Sequence, residues 1–147
     1  MMVDQLPEEL RALKTQMKTF INDVVIPREP ELMNEDANSE RVAAELKVKA
    51  KESGLWALGH PSEIGGGGLP FMDFVYLNEV IGRSHWGQWA VGSLSMQDSI
   101  MLHLYASSEQ RERFLEPLVA GEIYPSVGLT EPDVAGSDPT QMQTTAI

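Results

Sequence analysis

The segment Leu129-Thr-Glu-Pro-Asp-Val-Ala-Gly-Ser-Asp138 gathers a hydroxyl, a turn-forming proline and a Gly-Ser pair directly after a stretch that reads as a strand. Such a loop can aim the Thr130 hydroxyl and successive backbone N–H groups at ring heteroatoms or a diphosphate, and Gly136 lets the backbone come close without a Cβ. A capped turn linking one strand to the next would use the same residues, and on chemistry alone the two readings are even.

Other chemically suggestive residues read more simply. The run Gly65 to Gly68 contains no basic residue and follows no strand, so it reads as a turn and not as a phosphate cradle. His60, His85 and His103 sit on separate elements without a carboxylate at ligand spacing; each reads as structural and no metal site is expected. Trp56, Trp86 and Trp89 could stack on a planar ligand, but their positions at helix junctions suit core or lid anchors. Glu29, Glu31, Glu35 and Asp36 lack apolar neighbours that would raise a carboxylate's pKa, and read as a solvated acidic loop that serves solubility.

The elements that must position these residues are mostly helical. Leu6, Leu10, Leu13, Met17, Phe20, Ile21, Val24 and Val25 recur at three- and four-residue steps, which predicts a helix over about Pro7 to Val25. Pro7 suits its first turn, Glu8 and Glu9 favour the positive end of the dipole, and Pro27 should stop it. A second helix is expected from near Ser39 to Gly54, with Val42, Ala43, Leu46 and Ala50 on one side. Residues 54 to 68 should form an ordered loop with a mobile glycine tip. A third helix runs from Phe71 to near Arg83, and a fourth, weaker pattern from about Trp89 to Tyr105, where Ala90, Gly92, Ser93 and Ser95 permit close packing. Ser107 with Gln110 three places on predicts a capping box at the head of a fifth helix that ends at Gly121. After it, residues 123 to 129 read as β-prone, with a strand from Tyr124 to Thr130. The fold class is therefore all-α: a bundle of five or six helices over residues 1–122, giving way at 123–147 to a β-prone stretch and a polar loop, the first strand of something else.

Composition narrows the function. With 22 acidic and 11 basic residues the net charge is −11, so nucleic acid and anionic lipid are not expected partners. No apolar run approaches the roughly 20 residues needed to span a bilayer, and Met1 to Leu10 lack the texture of a signal peptide; the expected setting is cytoplasmic. The absence of cysteine excludes disulfides, thiolate metal sites and a cysteine nucleophile.

Three stretches, in order, resemble the acyl-CoA dehydrogenase family. They are Gly54-Leu-Trp-Ala-Leu-Gly-His-Pro-Ser-Glu-Ile-Gly-Gly66, the segment from Tyr105 to Glu122, and Thr130-Glu131-Pro132 followed by Gly136-Ser137-Asp138. One more residue separates Pro132 from Gly136 than in the commonest form of that motif. The resemblance implies an amino-terminal helical domain and the opening strand and flavin loop of a middle β-domain. It implies FAD as cofactor, with Val127, Leu129 and Thr130 against the isoalloxazine ring and Gly136 with Ser137 beside flavin and the thioester end of the substrate. It further implies α,β-dehydrogenation of an acyl-CoA, with fatty acid metabolism as its setting. An electron-transferring flavoprotein is the implied electron acceptor, and dimers or tetramers the implied assembly. The glutamate base of the family has no counterpart in this chain, so no catalytic residue is expected here, and Glu131 is not given that role. An acyl-CoA oxidase or flavin monooxygenase of the same fold is the alternative within the enzyme class; a noncatalytic helical subunit or interaction module is the alternative outside it.

Overall fold

The structure, a computed structural model, describes residues 6–34 and 36–145. Its elements are α1 (Glu8–Thr19), α2 (Glu29–Leu32), α3 (Ala37–Glu52), α4 (Phe71–Ile81), α5 (Gly87–Ala90), α6 (Met96–Tyr105), α7 (Ser108–Gln110) and α8 (Glu116–Ala120). Wide helical turns over Phe20–Val25 and Arg111–Leu115 join α1 toward α2 and α7 to α8, so six continuous helical runs result. The all-α expectation holds among the described residues.

The apolar stripe on the first helix does what its spacing implies. Met17, Ile21 and Val25 lose all solvent contact against Val42 and Leu46 of α3 and Leu77 and Ile81 of α4. Full burial of such a side chain contributes about 1.5–3 kcal/mol, so this cluster dominates the stability of the body. A smaller cluster, Ala57 with Leu115 and Val119, ties α8 to the loop after α3.

Pro27 does not stop the first helical run. Phe20–Val25 widen into a π-turn and Ile26–Arg28 tighten into a 3₁₀ turn, which puts Pro27 in the opening turn of a new segment, where its missing N–H is tolerated. The fourth predicted helix is split. Val91 leaves the helical region and Gly92 adopts φ +69°, because the indole of Trp56 lies where a Cβ on Gly92 would stand. Close packing at these small residues is real, but it belongs to a turn.

Two terminal signals hold as read. Ser107 accepts from the Gln110 N–H while the Gln110 side chain accepts from the Ser107 N–H, completing the capping box. Gly121 ends α8 at φ +75°, with Trp56 Cζ2 2.5 Å from the position of a Cβ.

The glycine run is a closed loop. Gly66, Gly67 and Gly68 donate to Pro61, Ala57 and His60 carbonyls at 3.0, 3.0 and 2.9 Å, and Leu69 donates to Leu58 at 3.0 Å. Side chains at 66 or 67 would collide with the backbone of His60 or Leu58, so glycine is required there by close approach.

Candidate functional site

Beyond Gly121 the chain leaves the body and every described residue is exposed or half-buried. Residues 124 to 130 run extended, yet no strand is found among the described residues: an extended segment becomes a strand only when a neighbour completes its ladder, and none lies beside it.

Leu129, Thr130 and Gly136 are brought together. The chain doubles back so that a Cβ on Gly136 would lie 3.7 Å from the Leu129 carbonyl and 3.8 Å from Thr130 Cα, ordinary contacts that would not by themselves demand glycine. Val127, 76% exposed, and Leu129, 49% exposed, flank Gly128, whose Cβ position meets nothing within 4 Å. No hydrogen bond among the described residues ties Val127 or Ser137 to this cluster. The amide N–H groups of residues 127 to 130, 136 and 137 likewise donate to nothing among them. The segment thus presents two exposed apolar side chains, a hydroxyl and unspent backbone donors close together.

Carboxylates hold this turn. Glu131 accepts from the Gln143 and Thr144 N–H groups, each at 2.8 Å, closing residues 131 to 144 into a loop. Hydrogen bonds from the Thr144 side chain and these two amides keep the Glu131 carboxyl below the usual carboxylate range. Asp138 accepts from the Thr140 hydroxyl at 2.6 Å, the Gln141 amide at 2.9 Å and the Thr140 N–H at 3.1 Å, and its pKa is lowered too, by the hydroxyl first. The reach of Glu131 to residues 12 and 13 places away had no signal in the sequence.

The acidic stretch near the first helix is not a solvated solubility loop. Glu29 accepts from the Ser84 hydroxyl and from the His85 N–H at 2.9 Å, bridging α2 to the turn after α4. Glu31 pairs with Arg28 and accepts from Asn38, which lowers its pKa, the Arg28 hydrogen bond first. Asp36 caps α3 through the Ser39 N–H at 2.9 Å. Sequence spacing could have suggested the Asp36 cap and the Arg28–Glu31 pair three places apart, but not the reach of Glu29 to Ser84. Glu35 lies outside the described residues.

The histidines occupy three separate places. His60 is fully buried, with Nε2 3.3 Å from Ser95 Oγ and Nδ1 without a partner, and burial pushes its pKa down. No group of three or more metal-ligating side chains occurs among the described residues. Trp56, Trp86 and Trp89 pack against the main core. No helix of the described residues is long and apolar enough to cross a membrane.

A family model described as "Acyl-CoA dehydrogenase, N-terminal domain" matches residues 7–122. The chain is 34% identical over 151 residues to the mouse (Mus musculus) protein named acyl-CoA dehydrogenase family member 10, covering 94% of this chain and 14% of that one. It is 31% identical over 145 residues to the (2S)-methylsuccinyl-CoA dehydrogenase of Cereibacter sphaeroides, covering 97% of this chain and 25% of that one. A solved structure from Mycobacterium abscessus, described as that of an acyl-CoA dehydrogenase, superposes with a TM-score of 0.80 at 31% identity, over 92% of this chain and 37% of that one. The chain thus spans well under half the length of these relatives.

Proposed function

The chain belongs to the acyl-CoA dehydrogenase family through that family's N-terminal domain, and we propose that it supplies one edge of a flavin site and part of the acyl-CoA pocket in a protein that α,β-dehydrogenates an acyl-CoA thioester. The observation that carries this reading is the exposed turn in which Leu129, Thr130 and Gly136 lie together with unspent donors, at the end of a helical body of that family.

In this reading residues 1–122 are the helical domain and 123–147 open the β-domain. Leu129 and Val127 offer apolar surface to the face of the isoalloxazine of FAD, while the Thr130 hydroxyl and adjacent amides bind polar atoms at its edge. FAD, when bound, takes up the hydride lost from the acyl chain. Gly136 keeps its backbone accessible there, and Ser137 donates toward the thioester. Glu131 orients the turn through its two amide acceptances and does not move a proton. The base that takes the α-proton comes from outside this chain. The working partners are an acyl-CoA, an electron-transferring flavoprotein and further copies in a dimer or tetramer, in the cytoplasm.

The test is the visible spectrum of the protein purified from its native source, before and after anaerobic addition of mixed acyl-CoAs, with an intact mass on the same sample. A flavin band that bleaches on addition is the expected result. A preparation with no flavin and no capacity to take up FAD would overturn the reading, leaving the likeness as ancestry without activity.

A further inference from the structure

The last turn of α8 is received by side chains from distant parts of the fold. Trp56 Nε1 donates to the Val119 carbonyl at 2.9 Å, Lys51 Nζ to Ala120 at 2.8 Å and Lys47 Nζ to Gly121 at 2.7 Å. A helix leaves its final carbonyls without intrahelical donors and carries partial negative charge there, so two lysines and an indole N–H answer a need that backbone geometry creates.

Lys47 does more than cap. Its ammonium stands 4.7 Å from the centroid of the Tyr124 ring and 4.9 Å from that of Trp89, and those two rings stack at 6.1 Å with 28° between their planes. One side chain on α3 therefore grips both ends of Gly121 to Tyr124, the residues by which the chain leaves the body. The Glu122 and Ile123 amides within this stretch donate to Pro117 at 2.9 and 3.4 Å. Past Tyr124, no hydrogen bond among the described residues returns to the body, and Val127 follows three positions later. Lys51, over the Trp56 ring at 4.9 Å, closes the helix end without touching Tyr124.

We propose that Lys47 is a positioning residue that sets the direction in which the chain leaves α8, and so where Val127, Leu129 and Thr130 are presented to flavin; the second half rests on the function proposed above. A cation held between two π faces and a carbonyl fixes a direction, because the carbonyl restrains one end of the segment and the ring the other.

The experiment uses the whole flavin-loaded protein and its flavin-stripped form. Lys47→Met keeps an unbranched stem and removes the charge; Lys47→Arg keeps a cation, for which the adjoining groove of about 540 Å³ has room. Lys51→Met is the control for helix capping alone. Tyr124→Leu, at a half-exposed side chain, tests the clamp from the other side without altering α3. Lys47→Met is expected to speed amide exchange at residues 122 and 123 and to weaken FAD binding, each about tenfold, the size of one lost charge-assisted hydrogen bond. Lys47→Arg should restore both to within about twofold, and Tyr124→Leu should weaken FAD binding in the same direction. Lys51→Met should lower thermal stability with FAD affinity unchanged. Flavin uptake by Lys47→Met and Tyr124→Leu indistinguishable from the parent, or an equal loss in Lys51→Met, would overturn the positioning role. Failure of the parent itself to take up flavin would instead overturn the cofactor reading, and with it the link from Lys47 to flavin.

Discussion

Met17, Ile21, Val42 and Leu46 lose all contact with solvent inside the helical body, whereas Val127 keeps 76% of its surface exposed and Leu129 49%. The two regions spend their residues differently. In the body, apolar side chains are used up on each other and backbone donors on helices. In the segment after Tyr124, order comes from Glu131 and Asp138 gripping backbone amides, and the apolar side chains and amides of the candidate site are left over. A surface that is to receive a ligand must hold groups in reserve, and such a segment can be ordered only by contacts that leave them free.

The contrast breaks first under truncation of apolar side chains. Leu46→Ala should destabilise the protein by about 2–5 kcal/mol in urea unfolding, through lost burial plus a cavity. Val127→Ala should stay within about 0.5 kcal/mol. Comparable losses in the two variants would show that Val127 is buried and that the regions do not differ as described.

Next in size is the capping box. Ser107→Ala should cost about 1 kcal/mol, since the Gln110 amide loses its acceptor at the head of the run that ends in Gly121. Helix content from circular dichroism should fall only slightly, with the melting temperature lower by a few degrees.

The pH response separates the buried histidine of the body from the hydrogen-bonded carboxylates of both regions by window. His60 is kept neutral by burial, so its folded pKa lies below the ordinary 6.5. Between these two values the unfolded chain binds a proton that the folded one does not, and stability falls as pH drops below 6.5. The carboxylates Glu31, Glu79 and Glu131, lowered from 4.5 chiefly by hydrogen bonds from Arg28, Lys14 and Thr144 respectively, lose their contribution only on further acidification below that value. Urea midpoints should therefore already decline between about pH 7.5 and pH 5. A flat profile there would remove His60 from the account.

The smallest effect belongs to the exposed loop. Glu131→Gln should leave the melting temperature unchanged while amide exchange at Gln143 and Thr144 accelerates, because a neutral amide is a weaker acceptor than a carboxylate. Slower exchange, or a large drop in melting temperature, would mean that the loop is braced by the body after all.

Much of this was legible in the chain itself wherever the deciding interaction lies within about one helical turn. The apolar stripe of α1, the Ser107–Gln110 box and the Gly121 stop are such cases. Pro27 misled because its effect depends on whether a neighbouring wide turn can absorb it. Gly92 looked like a helix contact residue until the Trp56 ring placed it in a turn.

What only the tertiary structure decided are the pairings across long stretches of chain. Glu29 meets Ser84 at a separation of 55 residues, Trp56 meets Val119 at 63, and Lys47 meets Gly121 at 74. Nothing near Lys47 distinguishes it from the other lysines of α3, because a long charged side chain acquires a role only from the carbonyls and rings that packing brings within its reach.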